Sequence, residues 1–214
     1  YYTAMQAPQG PTFVSVPADD WDRPGVLIEP RTVSARVRAD PDVLATVAAA
    51  LDEAVSPALV VGPQVARDDA WEETIRLAER LQAPVWASPM SARNSFPQDH
   101  DLFAGFLPAD RKKIVSALDG ADVILALGAP VFTYHVEGDG PHIPPGSSLF
   151  QLVDNPALAA WAPVGTALTT HLKLGVQDLL SLLPDARRPT APQSEKAGGL
   201  GPDAGVTAQA IYAA

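Results

Sequence analysis

Short apolar runs alternate with amphipathic helical patterns between residues 40 and 183. A short apolar run bounded by turn residues is typical of a buried strand, and apolar residues at every third or fourth position are typical of a helix. Strict alternation of the two element types predicts a parallel sheet with helices on both faces. The sequence therefore predicts an α/β fold, a Rossmann-like three-layer sandwich with a mostly parallel sheet.

Most helices and strands can be placed from the spacing of apolar residues and from the capping and turn residues that bound them. Strands are predicted over residues 58–61, 84–87, 123–127, 149–153 and, as an edge strand, 166–170. Helices are predicted after Asp40-Pro41, after Asp68-Asp69, and over 110–118, 157–161 and 172–183. An aspartate followed by proline favours a helix start, because the carboxylate caps free N–H groups and proline suits the first helical position. The first helix is predicted to bury Val43, Leu44, Val47, Leu51 and Val55.

Two segments stand outside this regular pattern. Residues 12–16 (TFVSV) are β-branched and aromatic, which predicts a strand that belongs to a preceding domain. Residues 88–108 are predicted to be a long loop with prolines at 89, 97 and 108. Structureless loops of this length are uncommon inside compact domains and tend to be functional or to contact a neighbour.

Charge and cysteine content narrow the function classes. The formal net charge is −10 with only 15 lysines and arginines, so neither nucleic acid nor an anionic membrane surface is an expected partner. The chain has no cysteine, which leaves no disulfide and no thiolate metal site and is compatible with the cytoplasm. No apolar run of about 18 residues is present, so no membrane span is expected.

The stretch from 121 to 155 carries the candidate chemistry. Its first strand ends in Gly128-Ala129-Pro130 and its second in Asp154-Asn155. Open parallel sheets bind their ligands at the carboxyl ends of the strands. Neither G-x-G-x-x-G nor G-x-x-x-x-G-K-[ST] occurs, which argues against a phosphate cradle. Asp154 could accept a hydrogen bond from a ribose hydroxyl, but the favoured interpretation is that Asp154 or Asn155 caps the helix before Pro156.

The loop between these two strands contains His135 and His142. Together with Glu137 and Asp139 they could form a loop metal site, but no paired spacing such as H-E-x-x-H supports one. No G-x-S-x-G nucleophile motif is present. An imidazole beyond a strand end can transfer protons near neutral pH, so His135 is either a catalytic group or an exposed loop histidine.

Several segments resemble the thiamine diphosphate-dependent enzymes. Residues 5–22 (MQAPQGPTFVSVPADDWD) are similar to the end of their pyrimidine-binding domain. Similarity to their central domain is found in the segments SPALVVGP at 56–63, LAERLQAPVWASP at 77–89, ADVILALGAPVFTYH at 121–135, GSSLFQLVDNPALAAWAPVG at 146–165 and VQDLLSLLP at 176–184. The APVFTYH piece resembles the benzoylformate decarboxylase branch in particular.

The resemblance implies a domain organisation in which this chain is a piece of a longer enzyme. The expected parts are the tail of a pyrimidine-binding domain (1–24), a central Rossmann-like domain (25–184), a linker (185–205) and the start of a diphosphate-binding domain (206–214). Thiamine diphosphate and Mg²⁺ would be bound by the other two domains and not by this piece. The whole enzyme is expected to be a cytoplasmic homotetramer that converts benzoylformate to benzaldehyde and CO₂, and this piece alone is expected to be inert.

His135 matches the histidine that serves as a proton relay in this branch, so the resemblance implies a catalytic role for it. Glu137, two residues later, is expected to raise the pKa of His135. Gly138-Asp139-Gly140 resembles half of a cofactor-binding motif, but no apolar strand precedes it and no Asn pair follows, so a turn is the favoured interpretation. Two alternatives stay open: a thiamine diphosphate carboligase or lyase of another 2-oxo acid, and a non-catalytic nucleotide-binding module.

Overall fold

The computed structural model describes residues 1–29 and 31–185 and contains one parallel sheet. Its strands are β1 Pro57–Val61, β2 Val85–Ala87, β3 Phe103–Phe106, β4 Val123–Leu127, β5 Ser148–Val153 and β6 Thr166–Thr169. Their order in the sheet is β3-β2-β1-β4-β5-β6, and each pairs in parallel with its neighbours. This is the order of a doubly wound Rossmann sheet, so the predicted α/β fold is confirmed.

The helices occupy the crossovers that parallel strands require. They are α1 Tyr2–Met5, α2 Pro41–Glu53, α3 Gln64–Arg67, α4 Trp71–Leu81, α5 Arg111–Ala117, α6 Pro156–Trp161 and α7 Leu172–Leu182, with a 3₁₀ turn at Ala18–Asp20. The predicted cap of α2 is confirmed, because the Asp40 carboxylate accepts hydrogen bonds from the N–H groups of Asp42 and Val43 at 3.0 and 3.3 Å. Val55 lies beyond the end of α2 and is 91% exposed, so its predicted place in the core is wrong.

Apolar side chains cover both faces of the sheet and make three layers. Alternate residues of β1 and β4 point to opposite faces. Leu59 and Leu125 pack in a cluster with α2, α4 and α7, whereas Val60 and Ile124 pack with α5 and the chain after β4. Every residue of these two central strands is buried. Full burial of each such aliphatic side chain stabilises the fold by about 1.5–3 kcal/mol, so the centre of the sheet is its most firmly held part.

Two sequence predictions are corrected by strand pairing. The predicted loop 88–108 contains β3, which adds to the edge of the sheet beside β2. Its residues (FAGF) are half-buried or exposed and are interrupted by a glycine, which weakens the strand pattern in the sequence. Residues 12–16 form no strand, and Phe13 is 93% exposed. A strand needs a partner for its N–H and C=O groups, and none of the described residues pairs with this segment.

The prediction that Asp68-Asp69 caps the next helix is also wrong. Helix α4 begins at Trp71, and its N-cap residue, Ala70, makes no side-chain hydrogen bond. The carboxylate of Asp68 instead accepts a hydrogen bond at 2.7 Å from the N–H of Leu172, the first residue of α7. The aspartate therefore caps a helix that is distant in sequence but adjacent in space.

The predicted linker (185–205) and the predicted start of a third domain (206–214) lie outside the described residues, apart from Asp185. Among the residues that the structure covers, none of the helices has the length and apolar character needed to cross a membrane.

Candidate functional site

The switch point of the sheet lies between β1 and β4, where the strand order reverses. In doubly wound sheets ligands bind in the crevice outside these two strand ends. Here the strand ends are joined by main-chain hydrogen bonds: the Gly62 N–H donates to the Leu127 carbonyl at 2.9 Å, and the Gln64 N–H donates to the Gly128 carbonyl at 3.3 Å. A Cβ atom added at Gly62 would lie 2.5 Å from the Gly128 oxygen. The main chains at the ends of β1 and β4 therefore approach each other closely at the switch point.

Gln64 completes this closure, and no sequence motif had pointed to it. Its side chain is 2% exposed. The amide nitrogen donates to the Asp68 carboxylate at 2.9 Å and to the Thr170 carbonyl at 3.3 Å, and the amide oxygen accepts from the Asp154 N–H at 3.0 Å. A buried amide with all these partners is well satisfied, so Gln64 ties together the ends of β1, β5 and β6.

Asp154 and Asn155, the two polar residues after β5, have different roles. Asn155 caps α6, because its side-chain oxygen accepts from the N–H groups of Ala157 and Leu158 at 2.9 and 3.4 Å. The favoured capping interpretation is thus confirmed for Asn155. Asp154 is 6% exposed, and its carboxylate lies 2.5 Å from the Arg67 guanidinium. The Asp154 carboxylate therefore has a charged partner within this chain.

A cavity of about 340 Å³ lies beside this ion pair. Three aspartates (68, 69 and 154) and two arginines (36 and 67) line it, together with His171 and the N-terminal segment. An excess of carboxylates disfavours a phosphate group, which binds where positive charge or free N–H groups converge. The excess of carboxylates over guanidinium groups in the lining therefore disfavours a nucleotide diphosphate.

The loop after β4 places His135 on the surface, and hydrogen bonds fix its main chain. The His135 and Val136 N–H groups both donate to the Ala109 carbonyl, at 2.8 and 3.1 Å, and the Arg111 N–H donates to the Val136 carbonyl at 3.1 Å. These bonds join the loop to the start of α5 like two short parallel strands. His135 itself is exposed, so its imidazole can meet a group outside this chain.

Arg111, the first residue of α5, anchors the same loop from below. The residue is 8% exposed. Its Nη2 lies 2.7 Å from the Glu137 carboxylate, its Nη1 donates to the Gly140 carbonyl at 3.0 Å, and its Cζ lies 5.4 Å from the centre of the Tyr134 ring. Glu137, which the sequence had suggested as the neighbour acting on His135, is therefore paired with Arg111. The separation of 26 positions in sequence between the partners explains why sequence reasoning missed this arginine.

Tyr134 and His142 form a second contact across the loop. The Tyr134 hydroxyl lies 3.0 Å from His142 Nδ1. Burial raises the pKa of Tyr134, and burial together with the positive charge of Arg111 lowers the pKa of His142. Both shifts favour the neutral form of each side chain, and the tautomer of His142 sets which of the two groups donates the hydrogen bond. His142 thus has a local structural partner, whereas His135 does not share in this contact.

A second cavity, of about 360 Å³, opens next to the loop. Phe132, Tyr134, His135, Leu158 and Trp161 contribute to its lining. Trp161 is 76% exposed, which is unusual for so large an apolar side chain. The structure thus brings the predicted His135 to the rim of an opening lined by aromatic and aliphatic side chains.

The remaining polar residues of the loop form no metal centre. Within residues 1–29 and 31–185, no group of three or more His, Asp or Glu side chains is arranged to hold a metal ion. Gly138 and Gly140 have φ angles of +60° and +108°, values that glycine adopts without strain. This agrees with the interpretation of Gly138-Asp139-Gly140 as a turn.

Comparison with known proteins places the chain in a family. Residues 44–175 match the family model described as thiamine pyrophosphate enzyme, central domain. The chain belongs to the thiamine pyrophosphate (thiamine diphosphate) enzyme family, as its central domain. The fold agrees, because the matched residues include all of the sheet from β1 to β6.

Three relatives show which members of the family this chain resembles. Benzoylformate decarboxylase from Pseudomonas aeruginosa is 38% identical over 191 residues, which are 87% of this chain and 36% of that protein. The crystal structure of benzoylformate decarboxylase from Polynucleobacter necessarius matches 99% of this chain and 40% of its own with a TM-score of 0.89 and 38% identity. Thiamine diphosphate-dependent 4-hydroxybenzoylformate decarboxylase from Rhodococcus jostii RHA1 matches 97% of this chain and 40% of its own with a TM-score of 0.84 and 33% identity. The chain therefore spans well under half the length of these relatives.

The described residues do not by themselves fit thiamine diphosphate and its Mg²⁺. The diphosphate would need cations or free N–H groups, but the switch point is filled by Gly62, Gln64 and Gly128, and the cavity beside it is rich in aspartate. Mg²⁺ prefers carboxylate ligands in a fixed arrangement, and no suitable cluster exists among the residues described. No step of the chemistry is therefore assigned to a cofactor held by this chain.

Proposed function

We propose that this chain is the central domain of a longer decarboxylase that converts an aromatic 2-oxo acid, with benzoylformate as the first candidate, to its aldehyde and CO₂. The observation that carries the proposal is the loop after β4, which presents His135 beside an aromatic-lined cavity. Support comes from the 38% identity to a benzoylformate decarboxylase over 87% of the chain. A relative with a TM-score of 0.84 acts on 4-hydroxybenzoylformate, which also favours an aromatic substrate.

The cofactor of the whole enzyme would be held by its other domains. Thiamine diphosphate, bound with Mg²⁺, supplies an electron sink for decarboxylation. In the proposed organisation a pyrimidine-binding domain precedes residue 25 and a diphosphate-binding domain follows the linker at 185–205. The enzyme would act as a cytoplasmic homotetramer. The central domain alone would be inert, because its described residues include no cluster suited to the metal.

His135 is the group that this chain would contribute to catalysis. Its imidazole would deliver a proton to the reacting group and recover one afterwards, a task that histidine performs near neutral pH. The main-chain bonds to Ala109 fix the backbone from which the imidazole projects. An exposed imidazole on a main chain fixed by hydrogen bonds suits this role. The substrate would be bound outside this domain, and the imidazole must reach its reacting group in a defined geometry.

The test is the variant His135→Ala in the full-length protein loaded with thiamine diphosphate and Mg²⁺. Loss of an acid/base group should lower kcat for benzoylformate by about 10²–10⁴-fold. His100→Gln is the matched control, because the side-chain contacts of His100 are with Glu79, Phe96 and Leu102 and not with the loop, and it should leave kcat unchanged. An unchanged kcat in a folded His135→Ala enzyme would contradict the assignment.

Substrate and ligand screens separate the two alternatives. Turnover of pyruvate in place of benzoylformate and 4-hydroxybenzoylformate would indicate another thiamine diphosphate lyase or carboligase. Calorimetry with FAD, ADP and NAD tests the nucleotide-binding alternative. Tight binding of any of them would contradict the proposed function.

A further inference from the structure

A buried guanidinium, that of Arg111, lies beneath the His135 loop. Arg111 begins α5, and its side chain is 10% exposed. Burying a charge is costly unless it is paired and hydrogen-bonded. Every contact that the Arg111 guanidinium makes in the described structure is with the loop between Tyr134 and Gly140. The Arg111 guanidinium therefore interacts with the loop and not with the hydrophobic core.

The contacts of Arg111 lie on both sides of His135. The guanidinium carbon lies 5.4 Å from the ring centre of Tyr134, the residue before His135. The 2.7 Å bond to Glu137 and the 3.0 Å bond to the Gly140 carbonyl lie after it. Because the main chain of Arg111 also donates to Val136 at 3.1 Å, one residue holds the loop before and after the imidazole.

We infer that Arg111 is a positioning residue for His135: it sets the place and direction of the imidazole at the rim of the aromatic-lined cavity. The inference rests on the proposed proton relay by His135. A planar guanidinium can hold a carboxylate and a carbonyl at once in fixed directions while its face lies on an aromatic ring. Lysine, a point charge on a flexible stem, cannot reproduce all three contacts.

A second contact, between Tyr134 and His142, holds the two ends of the loop together. The bond of 3.0 Å between the Tyr134 hydroxyl and His142 Nδ1 joins the start of the loop to its end. Tyr134 is thus held by Arg111 on its ring face and by His142 at its hydroxyl. Loss of Arg111 would free the Tyr134 ring, Glu137 and the Gly140 carbonyl together, and each of them lies within five residues of His135. The loop would then be held by its main-chain bonds to residues 109 and 111 and by the contact between Tyr134 and His142.

The experiment is a double-mutant cycle in the full-length enzyme with thiamine diphosphate, Mg²⁺ and benzoylformate. Arg111→Met removes the charge but keeps an unbranched apolar stem, and it is measured with His135 present and in the His135→Ala background. With His135 present we expect kcat to fall by about tenfold to a hundredfold with KM little changed, the usual consequence of misplacing a catalytic group. In the His135→Ala background the same change should have no further effect, because residues that act as a unit are not additive.

The outcomes separate this inference from the proposed function. An equal fall of kcat in both backgrounds, or no fall in a folded Arg111→Met enzyme, would overturn the positioning role while leaving His135 as the relay. If His135→Ala alone left kcat unchanged, the proposed relay would fail and the inference with it. Arg111→Lys is expected to keep part of the kcat that Arg111→Met loses.

A milder variant covers the case in which Arg111→Met does not fold. Glu137→Gln removes one partner of Arg111, and the Glu137 side chain is 72% exposed, so this enzyme should fold. It should lower kcat by less than tenfold, again only when His135 is present. A Glu137→Gln enzyme whose kcat falls by the same factor with and without His135 would overturn the inference.

Discussion

Replacing Gly62 by alanine tests whether the two central strand ends are packed as closely as the structure shows. Gly62 follows β1 and donates a hydrogen bond of 2.9 Å to Leu127 at the end of β4. A Cβ atom at this position would lie 2.5 Å from the Gly128 oxygen and 2.6 Å from the Ala129 Cβ. Both distances are far inside van der Waals contact, and neither neighbour can rotate away, because one is backbone and the other a single methyl group.

The expected cost follows from overpacking at a rigid place. Forcing one extra carbon into a well-packed core costs about 1–3 kcal/mol. The upper end applies here, since every residue of β1 and β4 is buried and the strands cannot separate without breaking their ladder. For a chain of this size about 1 kcal/mol shifts Tm by roughly 2–4 °C. Gly62→Ala should therefore lower Tm by about 6–12 °C.

The assay is urea and thermal unfolding of the chain followed by far-ultraviolet circular dichroism. Gly25→Ala is the matched control, because a Cβ atom at Gly25 would meet no atom within 4 Å, and it should stay within about 0.5 kcal/mol of the unchanged chain. A Gly62→Ala chain as stable as this control would refute the reasoning. It would mean that the strand ends have room between them and that the switch point can open to a ligand.

Two further predictions concern the capping aspartate and the pH dependence of the loop. Asp68→Ala removes the acceptor of the Leu172 N–H and of the buried Gln64 amide, so it should lower the free energy of unfolding in urea by about 1–3 kcal/mol. The control Asp69→Asn alters an exposed neighbour, and equal losses in the two variants would contradict the capping role. Because the folded chain lowers the pKa of His142 below its ordinary value of 6.5, the stability due to this neutral imidazole is complete above about pH 6.5 and is lost as pH falls through the lowered pKa. Tm measured from pH 8 to pH 5 should therefore decline less in His142→Gln, and identical pH profiles of the two chains would count against a lowered pKa of this half-buried histidine.

Local patterns were sufficient for the central elements of this fold. The apolar runs at β1 and β4 and the Asp40 cap of α2 were all predicted, because burial on both faces and capping leave a signal within a few neighbouring residues. The cap of α6 at Asn155 was predicted for the same reason. His135 came from a resemblance carried by a short contiguous motif, and its role stays a prediction.

Tertiary structure decided whatever depends on residues distant in sequence. Strand β3 exists because the edge of β2 offers N–H and C=O groups to pair with, which its own glycine-interrupted sequence does not reveal. Asp68 looked like the cap of the next helix, but it caps one whose first N–H is 104 residues away. The contact of Arg111 with Glu137 joins residues that are 26 positions apart, and only the packing of α5 under the loop brings them together. A sequence shows which groups can form hydrogen bonds, whereas their partners are chosen by the path of the folded chain.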